Sequence, residues 1–156
     1  MKDVYLSLGT NLGEREINLS RAEVLISQRI GQVLLSSSNY RTKPVDFVSQ
    51  NDFINKVILV QTNLSPLNIL EATKKIECLL GRQKKSHNGF YSDRTIDIDI
   101  LYIDNEIIDL PDIQIPHPRL HERLFVLEPL NEIAPSFRHP ILQKSTSEMI
   151  EDMKNH

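Results

Sequence analysis

An α+β domain with a ferredoxin-like βαββαβ core and a largely antiparallel sheet is what this sequence predicts, and two observations carry the prediction. Segments of strand and helix period follow one another as strand, helix, strand, strand, helix, strand, which is the split βαβ order. The 156 residues also read as one domain, 1–156, long enough to bury a core and without an internal repeat, low-complexity tract or linker.

The first strand is "VYLSLGT", where Val4, Leu6 and Leu8 alternate with Tyr5 and Ser7. "GTNLGERE" turns the chain, and its Gly9 and Gly13 are weak evidence for anything beyond geometry. A helix is expected from about Glu14 to Ile30, with Ile17, Ala22, Leu25, Ile26 and Ile30 at helical spacing and Glu14 and Glu16 at its positive end. "QVLLSSSNYRT" and "FINKVILVQT" are the next two strands, separated by a loop in which Pro44, Asp46 and Asn51 fall. The second helix spans about Pro66 to Leu80: Ser65 caps it, Ile69, Thr73, Ile76 and Leu80 line one face, and Gly81 stops it. A polar, basic stretch, "RQKKSHNGFYSD", precedes the strand "TIDIDILYI" and a turn at Asp104-Asn105. Beyond these, a short helix is expected from about Arg119 and a helical tail from Thr146.

The net charge of −3 does not point to nucleic acid, so any basic site is local. Cys78, the single cysteine, cannot form an internal disulfide and falls in an apolar helical pattern, where a buried structural thiol is expected. No signal peptide or membrane span is expected, and a cytoplasmic monomer is.

The chemistry concentrates in "SDRTIDIDILYID". On a strand Asp97 and Asp99 share one face while Ile96, Ile98 and Ile100 share the other, which can pack. Taken alone, two solvated carboxylates on a wet sheet face would explain the pattern. Two same-face carboxylates also suit Mg²⁺, which takes one or two carboxylates and fills its shell with waters and substrate phosphates. Arg82, Lys84, Lys85, His87 and Arg94 come immediately before the pair, beside Asn88 and Gly89, and the combination reads as a polyphosphate site. No Walker loop sequence occurs.

Taken in order, "YLSLGTNLG", "YRTKPV", "FIN", "IECLLGR", "DRTIDIDIL", "IPHPRLHERLFVLEPL" and "EIAP" resemble the 6-hydroxymethyl-7,8-dihydropterin pyrophosphokinases of folate biosynthesis over most of the chain. The resemblance implies the same ferredoxin-like fold. It also implies transfer of the β,γ-diphosphate of ATP to the hydroxymethyl group of the reduced pterin, leaving AMP. By that pattern Asp97 and Asp99 bind two Mg²⁺ ions, and Arg82 and Arg94 reach the phosphates. Leu70, Lys84, Tyr91, Ile98, His117 and Arg123 belong with ATP, and Thr42, Val45, Phe53, Asn55 and Phe125 with the pterin, the two phenylalanines stacking on the ring. Glu77 fits either a buried partner or an exposed helical acid. The chain has Tyr91-Ser92-Asp93-Arg94 where the family usually has Trp-Gly-Pro-Arg, which removes a preset turn. The competing class is a non-catalytic ferredoxin-like domain that binds metal or nucleotide for regulation.

Overall fold

The computed structural model describes residues 1–43, 52–81 and 95–155. In chain order the elements are β1 (Lys2–Thr10), α1 (Arg15–Arg29), β2 (Gln32–Ser36), β3 (Tyr40–Thr42), β4 (Phe53–Thr62), α2 (Pro66–Leu79) and β5 (Asp97–Ile103). A short hairpin of β6 (Ile108–Leu110) and β7 (Ile113–Ile115) follows, then a 3-10 turn at Leu120–Glu122, α3 (Leu124–Ile133) and α4 (Thr146–Lys154). The main sheet runs β2-β4-β1-β5, with β3 also on β4 and every pairing antiparallel. Each βαβ unit is therefore split: β4 lies between β1 and β2, and β1 lies between β4 and β5, as the ferredoxin-like order requires.

Helices cover the two faces of the sheet differently. On one face Leu6, Leu8, Ile58, Ile98 and Ile100 pack with Leu19, Ala22 and Ile26 of α1 and Ile69 and Ile76 of α2. On the other, Tyr5, Val57, Leu59 and Tyr102 pack with Val126, Leu127 and Leu130 of α3 and Met149 and Ile150 of α4. The apolar side chains of that second layer come from the Tyr5, Val57 and Leu59 part of the sheet, and Ser7, Gly9 and Asn55, also buried, continue the same face. No helix among the described residues is long and apolar enough to cross a membrane.

Local signals explain most boundaries. Ser65 accepts from the Asn68 N–H at the start of α2, and Gly81 ends it at a φ of +110°, a region glycine enters without steric cost. Ser145 and Glu148 close a capping box on α4, the expected helical tail. In α1 the buried stripe includes Leu19, whereas Ile17 is exposed. Cys78 is exposed, contrary to expectation: it lies two residues past Ile76, on the far side of α2 from the packed stripe. The helix expected near Arg119 is a 3-10 turn, and the true helix begins at Leu124. The expected loop at Pro44, Asp46 and Asn51 lies outside the described residues.

Candidate active site

The candidate site lies along the continuation of that second face past Tyr5. β1 registers Ser7 opposite Asp99 and Gly9 opposite Asp97, and on its other side β4 sets Asn55 opposite Gly9. Asp97, Gly9 and Asn55 thus form one row across three strands, and their side-chain face is the one α3 partly covers. Asp97 and Asp99 are half-buried there, while Ile96, Ile98 and Ile100 are buried on the helix α1/α2 side, as period two demands.

The row continues to the residues expected beside the pterin. Tyr40 lies opposite Asn55 and Thr42 opposite Phe53. Asn55 is buried and its Nδ2 donates to the Thr42 hydroxyl at 3.4 Å. A Cβ on Gly9 would stand 2.6 Å from Asn55 Oδ1, so the amide occupies the space that glycine leaves open. Phe125, half-buried on the first turn of α3, packs against the second core layer, and the Arg123 guanidinium lies 5.7 Å from its ring centroid. Phe53 is half-buried on the same sheet face as Asn55.

β5 carries the means of bringing His117 to this face. Between Tyr5/Tyr102 and Leu6/Ile100 the ladder with β1 slips by one residue, leaving Leu101 as a bulge. The Leu101 carbonyl accepts the His117 N–H at 2.9 Å, which fastens the "PHP" segment alongside the strand. His117 Nδ1 accepts the Arg119 N–H at 3.2 Å. Burial first, then the Arg123 and Arg119 charges, push its pKa down to about 4, with Asp97 opposing. The ring is therefore neutral near pH 7, and with Nδ1 accepting, its proton sits on Nε2 as a donor.

Glu77, whose role the sequence left open, is buried on α2, and its Oε2 accepts the Ile98 N–H at 2.8 Å. It thereby holds the peptide between the two aspartates on a strand that, among the described residues, has no sheet neighbour on that side. Its spacing of four from Thr73 placed it beside the buried stripe, the one signal the sequence offered. Leu70 and Ile98 lie in the helix α1/α2 layer, across the sheet from the carboxylates. Arg82, Lys84, Tyr91, Arg94 and Val45 lie outside the described residues.

Among the described residues no group of three or more His, Cys, Asp and Glu side chains is arranged to hold a metal. The donor set is instead two hard carboxylates on one strand face, which suits a cation completed by phosphate and water rather than a site made wholly of protein.

The family model described as 7,8-dihydro-6-hydroxymethylpterin-pyrophosphokinase matches residues 5–135. The chain belongs to this family. It is similar to the 2-amino-4-hydroxy-6-hydroxymethyldihydropteridine pyrophosphokinase of Porphyromonas gingivalis, 43% identical over 90% of this chain and 95% of the relative. The Bacillus subtilis enzyme of the same name is 42% identical over 83% of this chain and 76% of its own length. Among solved structures, Plasmodium falciparum HPPK-DHPS superposes with a TM-score of 0.78 at 16% identity over 97% of this chain, which covers 44% of that chain. The pyrophosphokinase fold is thus found both in relatives of about this length and within a chain more than twice as long.

Proposed function

We propose that this pyrophosphokinase transfers the β,γ-diphosphate of ATP to the hydroxymethyl oxygen of 6-hydroxymethyl-7,8-dihydropterin, in folate biosynthesis, using Mg²⁺ held by Asp97 and Asp99. The observation that carries the reading is the row Asp97, Gly9, Asn55, which puts the carboxylates and a buried amide on one sheet face with no side chain at the position between them. The hydroxymethyl oxygen forms a bond to the β-phosphorus, the bond from that phosphorus to the α,β-bridging oxygen breaks, and AMP leaves with that oxygen while the hydroxyl gives up its proton.

The site residues among those described each have a task in that scheme. Phe53 and Phe125 stack on the pterin, and Asn55, steadied by Thr42, offers both a donor and an acceptor to its edge. Arg123 gives charge-assisted hydrogen bonds to phosphate, and His117 donates from Nε2 without adding charge. Two Mg²⁺ ions, when bound, supply counter-charge to the phosphate oxygens and a template for in-line displacement. Arg82 and Arg94 are assigned to the transferring phosphates, with Lys84 and Tyr91 beside the nucleotide and Val45 beside the pterin, on the family pattern alone. Because Leu70 and Ile98 lie across the sheet from the carboxylates, a nucleotide touching both sets passes around the outer edge of β5.

The decisive assay follows the adenine product. ATP, Mg²⁺ and the reduced hydroxymethylpterin together yield AMP, and omitting the pterin stops its formation. Asp97→Asn lowers kcat by roughly a hundredfold or more with an unchanged melting temperature. Production of ADP in place of AMP would remove this reading in favour of single-phosphoryl transfer.

A further inference from the structure

The "EIAP" end of α3 is part of what marks the chain's family, yet Glu132 has no task in the scheme above. Its exposed carboxylate gathers donors from one short stretch of the sheet. The Ser38 N–H reaches Oε1 and Oε2 at 3.1 and 3.0 Å, the Ser38 hydroxyl reaches Oε2 at 3.2 Å, and the Tyr40 hydroxyl reaches Oε1 at 2.7 Å. These bonds hold the Glu132 carboxyl below its usual range and raise the Tyr40 phenol to about 12, so acceptor and donor keep their protonation states across any working pH.

The stretch that Glu132 grips is already fixed to β4. Ser37 donates its N–H to the Val57 carbonyl at 2.9 Å, and its hydroxyl accepts the Val57 N–H at 3.0 Å. The sheet side is therefore the fixed partner and α3 the part being held. Glu132 lies seven residues after Phe125, two helical turns along the same face of α3. On β3, Tyr40 sits opposite Asn55, and two residues on, Thr42 accepts from Asn55. One carboxylate thus ties the helix that carries Phe125 to the strand that steadies Asn55.

We propose that Glu132 is a positioning residue for the pterin site: by clamping Ser38 and Tyr40 it sets where Phe125 stands relative to Phe53 and Asn55. The proposal rests on the assignment of those three residues to the pterin, and its test separates the two. A clamp acts on one substrate, whereas a bond that only stabilises the fold does not distinguish them.

Steady-state kinetics on the full chain, varying the reduced pterin and ATP in turn, read this out. Glu132→Ala raises KM for the pterin about tenfold and leaves KM for ATP within about twofold. Tyr40→Phe, which removes a single hydroxyl, shifts the pterin KM in the same direction by less. Glu132→Gln, which keeps an acceptor for Tyr40, recovers most of the loss. A fall in melting temperature with the pterin KM unchanged, or a parallel rise in both KM values, overturns the clamp. Phe125→Ala is the control: if it leaves the pterin KM unchanged, the site assignment fails and the clamp with it. If it raises that KM while Glu132→Ala does not, the clamp alone fails.

Discussion

Gly9 bears on both halves of the site while contributing no side chain. A methyl group at Gly9 would stand 2.6 Å from Asn55 Oδ1, inside any tolerated contact, so Gly9→Ala must turn the Asn55 amide away from Thr42. The expected result is a rise of about tenfold in KM for the pterin with kcat less affected, and an accompanying Asn55→Ala change should then add little, since both act on the same amide. Fully additive effects would show that Gly9 matters for another reason. From the sequence Gly9 reads only as a turn glycine within "YLSLGTNLG", because its closeness to Asn55 depends on which residue of another strand lies opposite. Asp97 and Asp99 were legible, since period two on one strand sets their shared face without any knowledge of neighbours. His117 was legible only through the family motif: a histidine between two prolines reads as a turn, and the Leu101 carbonyl that fastens it lies sixteen residues away.

Among the elements, α2 announced itself most completely, because its cap, its stripe and its terminal glycine agree. The β6–β7 hairpin did not, since strands of three residues are too short to show a period. α3, expected from about Arg119, begins at Leu124, and Pro129 inside it withholds the N–H that the Phe125 carbonyl would otherwise accept. Burial of Val126, Leu127 and Leu130 against the sheet maintains the helix through that gap. Glu77 gives an element-scale prediction: Glu77→Met keeps the volume but orphans the Ile98 N–H on an edge strand, costing about 1–3 kcal/mol. Urea unfolding measures that cost, and hydrogen exchange at Ile98 should quicken relative to the central strand β1. Unaltered exchange there would mean that the β1 ladder alone holds the Asp97–Asp99 segment.

At the scale of the whole molecule, the two faces of the sheet differ: one is sealed by α1 and α2, the other is sealed by α3 and α4 at its Tyr5 end and carries the candidate site beyond it. That sealed end contains His139, buried, with Nδ1 accepting the Ile141 and Leu142 N–H groups at 3.2 and 3.1 Å. Burial, and then His121, lower its pKa below the ordinary 6.5. The unfolded chain therefore takes up the proton first as pH falls, so this contribution to stability is whole above about pH 6.5 and is lost below it through the lowered folded value. Urea midpoints at pH 7.5 and 5 should differ, and His139→Gln, which can still accept, should flatten the difference; an unaltered slope would exonerate His139. The bulge at Leu101 has a consequence for inheritance. Because β5 slips its register there, the stretch Asp97–Ile100 faces the layers in one phase and Tyr102–Ile103 in the other. Removing Leu101 would restore unbroken alternation and keep Asp97, Asp99 and Tyr102 on one face, so a lineage that shortens β5 by this residue keeps its facing and loses the carbonyl that fastens His117.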